Sequence, residues 1–355
     1  MTTLIKAHNQ WANRADDERF SSVEEMHAWA KQYKAEAREA ALSSPRQLQL
    51  GVRENGLVLE GREGQVAGLT NWSFGQICKE ASAPASYLRT LPLDLARDCL
   101  ASGLKTAEDR EVRLLLNHNS HNTLRAITSP KYTRIWNSDV TQRLVELKHS
   151  GQGWQEAPAA FDGSRGQYLS DRDMFSFFVD NDRRIFETLP GGGLSRGFFA
   201  WNSEVGASTF GIMTFLYEFV CGNHRVWGAS EVVEVKIRHV GRADEKGFEE
   251  LAAAVKMYAD SSASEDEAKI VKAQEYRIGQ TKDEVLDRLF GLNLATRKVL
   301  EEAHQVALEH ESWYGDPLSA WGMGGGLTQV ARDLPNADER VALDRAGAKV
   351  LELAW

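Results

Sequence analysis

The chain has 355 residues, 42% of them hydrophobic and 26% charged, and carries a net charge of −9. These values fit a soluble globular protein with room for one large domain or two ordinary ones, and they exclude a disordered or fibrous chain. The acidic balance also argues against a uniformly basic coat for nucleic acid.

The N-terminal stretch has no apolar h-region, so no signal peptide is expected. The longest apolar run, Phe210–Val220, is shorter than the roughly 20 residues of a membrane span. A cytoplasmic protein without a membrane partner is the expectation. Cys78, Cys99 and Cys221 are widely spaced in apolar surroundings and read as reduced, buried residues.

The first 45 residues read as helices. Ser21 to Glu25 carries a cap-like start, and Met26, Trp29, Ala30 and Tyr33 repeat at helical spacing. The alanine-rich stretch KAEAREAAL, ending at Leu42, continues the pattern. The period then changes. Leu48, Leu50 and Val52 alternate, Asn55-Gly56 makes a tight turn, and Leu57-Val58-Leu59 returns as a hairpin. Short helices are predicted after Thr70-Asn71-Trp72, from Pro84, and over Leu93–Leu104. Val112–Leu116 and Thr123–Thr128 read as strands, Asn137-Ser138-Asp139 caps a helix from Val140 to His149, and Met174–Val179 and Gly197–Trp201 are further strands. Asn202-Ser203-Glu204-Val205-Gly206 then opens the segment Phe210–Val220, predicted to be a helix buried on all sides. A strand through Val233, Val235 and Ile237 follows. From Glu245 to Leu353 the pattern is helical, except that Gly322–Gly326 reads as a loop or helix break.

The implied fold is α+β: a central mixed, mainly antiparallel sheet with a buried helix, flanked by N-terminal helices and a helical C-terminal third. Three regions follow: residues 1–105, helical with a β-hairpin; 106–243, the α+β core; and 244–355, helical and packed on the core.

No serine nucleophile elbow, Walker loop, kinase set or dinucleotide fingerprint is present, so no catalytic residue is assigned and no cofactor is expected. His118 and His121, with Cys221 and His224, have the residue types of a zinc site. A His-x-x-His loop between strands lacks the helical frame of a metalloprotease, however, and a polar turn is the preferred reading, with no metal assigned. Asn202, Ser203 and Glu204 sit where a strand enters a predicted helix, whose free N–H groups favour an anion; capping of that helix explains the same residues. Asp171, Asp173 and Glu204 are carboxylates at strand starts, the residue type of two-metal nuclease sites.

The strongest binding signal is electrostatic. Between Arg110 and His149 seven basic residues face three acidic ones, a local balance of +4, whereas Asp244–Lys269 carries three against eight. Arg113, Arg125, Lys131, Tyr132, Arg134 and Trp136 interleave cations with aromatic rings, and Arg225, Lys236 and Arg238 add to them. Cations neutralise phosphates and exposed rings stack on bases, a combination suited to single strands.

Leu169–Phe175 (LSDRDMF), Asn202–Gly206 (NSEVG), Cys221-Gly222-Asn223, Arg238–Gly241 (RHVG) and the ending from Trp321 to Gly347 together resemble the phage/plasmid-like protein family defined by domain of unknown function 932. The resemblance spans roughly residues 70 to 350 and departs from the family pattern at Gly222 and His224. It implies residence on phages, prophages or plasmids, near genes for recombination, single-strand binding or antirestriction, and it brings no established catalytic residues. Residues and resemblance together lead to the expectation of a DNA-binding accessory protein, favouring single strands and working as a homo-oligomer in recombination or DNA maintenance without catalysis. The alternatives are a metal-dependent nuclease built on Asp171, Asp173, Glu204 and the histidines, and a protein-binding inhibitor of host defence with an acidic face over Asp244–Glu267.

Overall fold

The computed structural model describes residues 18–54, 56–61, 65–118, 122–156, 166–185, 194–218, 234–241, 247–250, 253, 255–257, 264–332, 343 and 346–354. In chain order the elements are β1 (Arg19–Phe20), α1 (Val23–Ala35), β2 (Ala37–Leu42), β3 (Gln49–Arg53), β4 (Gly56–Glu60), β5 (Val66–Leu69), α2 (Asn71–Glu80), α3 (Ala85–Leu88), α4 (Leu93–Leu104), β6 (Val112–Asn117), β7 (Thr123–Thr128) and α5 (Asn137–Lys148). They continue with β8 (Trp154–Glu156), β9 (Gln167–Leu169), β10 (Met174–Ile185), β11 (Leu194–Asn202), β12 (Phe210–Glu218), β13 (Glu234–Ile237), α6 (Ser264–Glu275), α7 (Lys282–Gly291), α8 (Arg297–Glu309), α9 (Glu311–Tyr314) and α10 (Ala320–Arg332).

The fold is α+β, as the sequence implies, but among the described residues it holds two sheets. One has the order β1-β9-β10-β11-β12-β13, with β8 also pairing on β10, and every pairing in it is antiparallel. The other has the order β2-β6-β7-β5-β4-β3 and is mixed, because β5 runs parallel to β7. The β3–β4 hairpin turns at Gly56, whose φ of 132° is one that glycine adopts without steric cost.

Two cores follow from the two sheets. Val23, Met26 and Ala30 of α1, Val140 and Leu144 of α5, strand residues Phe178, Phe198, Ala200, Phe210 and Ile212, and C-terminal Leu289, Leu300, Trp321 and Leu327 make one continuous cluster. Beneath the mixed sheet, Ile77 and Cys78 of α2 and Leu100 and Leu104 of α4 pack on Leu59, Leu114, Leu124 and Ile127. A further small cluster, Leu115, Ala126 and Val205 with Trp72 and Trp136 packed against it, brings residues of the mixed sheet together with the chain leaving β11.

Three expectations are corrected. The segment predicted as a buried helix is β12, paired with β11 from Leu194↔Glu218 to Trp201↔Gly211. A strand in the middle of a sheet covered on both faces has no polar face to alternate with, so its apolar run mimics a buried helix. The Ala-rich stretch after α1 is the edge strand β2, laid along β6 from Ala37↔Asn117 to Leu42↔Val112; tertiary pairing overrides a modest helix propensity. Gly322–Gly326 lies inside α10. There the absent side chains permit close approach: a Cβ at Gly326 would collide with the backbone carbonyl of Ala303 on α8, and one at Gly322 with that of Asp316.

Cys78 is buried as expected, while Cys99 is exposed; Cys221 lies outside the described residues. Among the described residues no helix is long and apolar enough to cross a membrane.

Candidate functional site

The five residues Asn202–Gly206 do not start a helix. They form the loop that leaves β11, and nearly every polar group in the loop fastens another element. Asn202 Nδ2 donates to Ile135 O and to Asn137 Oδ1, both at 2.8 Å. Ser203 Oγ donates to Arg172 O at 2.7 Å and accepts from Ala207 N at 2.9 Å, while Ser203 O accepts from the Tyr132 hydroxyl at 2.8 Å. Val205 O accepts from Trp72 Nε1 at 2.9 Å. Gly206 holds a φ of 82°.

Glu204 is the centre. Its side chain is 2% exposed; Oε2 accepts from Arg125 Nη2 at 2.8 Å and Oε1 accepts from Asn137 N at 2.7 Å. Asn137 is the first residue of α5, whose N-cap, Trp136, makes no side-chain cap. The Glu204 carboxylate therefore caps α5 across the fold, satisfying an orphan donor and lying at the positive end of the helix dipole. An anion does sit at a helix N-terminus here. It is the protein's own carboxylate, and the helix is α5.

Both predicted rings, Tyr132 and Trp136, and two of the predicted cations, Arg125 and Arg134, are drawn into this hub. Arg125 is 1% exposed and lies over the Tyr33 ring at 4.1 Å. Arg134, 5% exposed in its side chain, donates to the Glu204 carbonyl, pairs with Glu39 at 3.0 Å, and lies over the Tyr132 and Trp136 rings at 5.4 and 5.5 Å. Tyr132 stacks on His239 with ring centroids 5.0 Å apart, and burial pushes its hydroxyl pKa up. His239, pressed to a pKa of about 4 by burial, donates from Nδ1 to Thr133 O at 3.2 Å.

Arg113 is half-buried on β6, and Lys131 and Arg238 are exposed. Lys236 has its backbone in β13 opposite Gly211, with its side chain outside the described residues, as is all of Arg225. His118 bonds Asn122 at 2.7 Å; His121, Cys221 and His224 lie outside the described residues, as does half of Asp244–Glu267. Asp173 is buried and bonded by Ser170 Oγ at 3.2 Å, and both Glu204 oxygens are engaged. Among the described residues no three His, Cys, Asp or Glu side chains gather to hold a metal ion.

Beside the hub is an open cleft of about 720 Å³ between α2 and the Asp171-Arg172 turn, with Ile127–Ser129 at the end of β7 and Gly206 on its lining. Gln76 spends its amide on the strand, donating to Ile127 O at 3.0 Å and accepting from Ile127 N at 2.8 Å. Trp72, half-buried, forms part of one wall, and the Arg172 guanidinium lies 5.9 Å from its ring centroid. Arg89 lies over Phe74 at 4.7 Å and donates to Asn71 Oδ1 at 2.6 Å, and Arg110 pairs with Glu80 at 2.5 Å. Lys79 is exposed, and no ion pair holds it among the described residues. The lining thus carries Lys79, Arg89, Arg110 and Arg172 against Glu80 and Asp171, an excess of two positive charges on a chain of net −9.

A family model described as a domain of unknown function (DUF932) matches residues 125–319, more than half of the chain. The chain belongs to the DUF932 family. No curated protein and no solved structure matches it.

The DUF932 match begins at Arg125, one end of the buried ion pair, and contains Glu204, the other. It also contains Asp171, Arg172 and Gly206 on the cleft lining, whereas Trp72, Lys79, Arg89 and Arg110 precede it. The cleft is therefore shared between the DUF932 region and the N-terminal helix–sheet unit. Sequence reading missed Trp72, Lys79 and Arg89. One signal was available: Trp72 lies in the first turn of α2, off the register of the buried positions Ile77 and Cys78.

Proposed function

We propose that this DUF932 protein binds single-stranded nucleic acid, DNA by preference, in the cleft beside Trp72, and that it does so without catalysis. The observation that carries the reading is the pairing of a half-buried tryptophan and its overlying Arg172 with Lys79, Arg89 and Arg110 in one open groove. A ring and a guanidinium plane offer a stacking surface to an unpaired base, and ammonium and guanidinium groups along the same groove meet the backbone phosphates. A duplex keeps its bases stacked inside and gains only the phosphate contacts, which is why single strands are favoured. Accessory work in recombination or DNA maintenance on a mobile element, in the cytoplasm and as a homo-oligomer, is the setting that this reading implies.

Fluorescence anisotropy with labelled single- and double-stranded oligonucleotides tests it. Lys79, Arg89 and Arg172 are exposed at the cleft. If each neutralises one phosphate, log K falls against log salt with a slope of about −2, so affinity drops about 20-fold between ~50 and ~200 mM salt. Arg172→Ala removes about 0.7 of that slope and also lessens quenching of tryptophan fluorescence by bound strand. Absence of salt-sensitive binding at micromolar protein would sink the reading.

A further inference from the structure

Ser129 is the last residue of its segment on the cleft lining, and the chain beyond it turns back at once. Tyr132 N donates to Ser129 O at 3.0 Å, closing a turn whose corner is Pro130-Lys131. Proline at the first corner position brings the φ that such a turn needs. Tyr132 then lies against the opposite wall: a Cβ on Gly206, which is also on the lining, would stand 3.5 Å from its ring. The turn therefore spans from the strand side of the cleft to the Gly206 side and borders the opening between them.

The segment from Arg238 to Gly241 runs alongside that turn. Tyr132 pairs antiparallel with Val240, Thr133 N donates to His239 O at 2.8 Å, and Thr133 Oγ1 donates to Gly241 O at 2.7 Å. Lys131 at the corner and Arg238 on the neighbouring segment are two of the cations that the sequence singles out. Both are exposed, and no ion pair holds either among the described residues. Arg125 and Arg134 differ in this respect, because their charges are spent on Glu204 and Glu39. Two free cations thus adjoin a lining that already carries an excess of positive charge, on a chain of net −9.

On the reading that the cleft holds a single strand, we infer that a longer strand leaves it over this turn, where Lys131 and Arg238 meet the phosphates beyond the cleft. Lys131 acts as a point charge on a flexible four-carbon stem, and Arg238 presents a planar fork of donors that matches phosphate oxygens. Contacts of this kind carry no base information. They lengthen the footprint and leave sequence preference unchanged.

Anisotropy on the full chain tests the track with labelled thymidine strands of about 4 and about 12 nucleotides, lengths within the range of single-strand footprints. On the short strand only Lys79, Arg89 and Arg172 count, and log K falls against log salt with a slope of about −2. On the long strand Lys131 and Arg238 join them, and the slope steepens to about −3.5, a loss of about 130-fold between ~50 and ~200 mM salt. Lys131→Ala and Arg238→Ala should each remove about 0.7 of the long-strand slope, with the short-strand slope and the melting temperature unchanged. Equal slopes on the two strands, or a long-strand slope that survives in either variant, would overturn the track and leave binding in the cleft standing. If the short strand binds too weakly to titrate, the variants on the long strand decide the matter. Failure of both strands to bind would instead overturn the single-strand reading, and the track with it.

Discussion

Removing the Glu204 side chain is the sharpest probe of the hub. Glu204→Ala would leave the Arg125 guanidinium, 1% exposed, without its carboxylate, and the Asn137 N–H without its acceptor. Breaking a buried pair by deleting one partner costs ~3–5 kcal/mol, because the other charge stays desolvated, and loss of a helix cap alone costs about 1 kcal/mol. The two losses share one carboxylate, so ~4 kcal/mol is the expected total. With an unfolding entropy of about 2.1 cal/mol/K per residue, that loss lowers the melting temperature by about 5 °C for a cooperative unit of this size. Circular dichroism melting and guanidinium titration read it. The companion variant Arg125→Met/Glu204→Met buries no orphan charge and should lose less than the two single changes combined, the mark of coupled partners. A Glu204→Ala protein that melts within about a degree of the parent, or a double variant whose loss equals the sum of the singles, would refute the hub as an energetic unit.

Two other outcomes follow from particular side chains. His239 is held near a pKa of about 4 in the fold, below its ordinary 6.5, because burial opposes the charged ring. As pH falls from 6.5 towards 4 the unfolded chain takes up a proton that the folded one refuses, so up to ~3 kcal/mol of stability is lost across that window and none above it. Denaturant titrations of His239→Phe should show a flatter pH dependence there, and an unchanged slope would refute the assignment. Gly326→Ala would push a methyl group into the Ala303 carbonyl of α8. Forced separation of α8 and α10 should cost ~1–3 kcal/mol, read as an earlier thermal transition; a neutral substitution would mean that these helices yield easily.

Local signals in the sequence are reliable where chemistry is local. Ser22 accepts from Glu25 N, as the cap-like start predicts, and the hairpin predicted from Leu48 to Leu59 closes with Val52 opposite Leu57. The strand at Met174–Val179 is longer than its apolar core and runs on to Ile185. Failure comes where a partner distant in sequence decides. The apolar run from Phe210 is a strand because β11 and β13 flank it, and the glycines of α10 are helical because the backbones of neighbouring segments come close. The site fails for the same reason: a cation alternating with aromatics reads as a solvent-facing stripe, and only the fold shows that Arg125 and Arg134 turn inward to Glu204. The cleft draws its lining from Asn71 to Gly206, and no local window contains it.

The strand order of the mixed sheet also sets a timetable for synthesis. β2 and β3 follow one another along the chain, yet they occupy opposite edges, and β2 pairs with β6 some 70–80 residues later, from Leu42↔Val112 to Ala37↔Asn117. At about 5–20 residues per second, β2 leaves the ribosome some 4–15 s before its mate has been made. The β3–β4 hairpin, by contrast, closes within its own few residues and needs only microseconds. Through that interval β2 offers unpaired backbone along both sides, and its charged positions Arg38 and Glu39 hinder pairing with the wrong neighbour. Charges with a place in the finished fold, Glu39 as the partner of Arg134, thus also guard the nascent sheet.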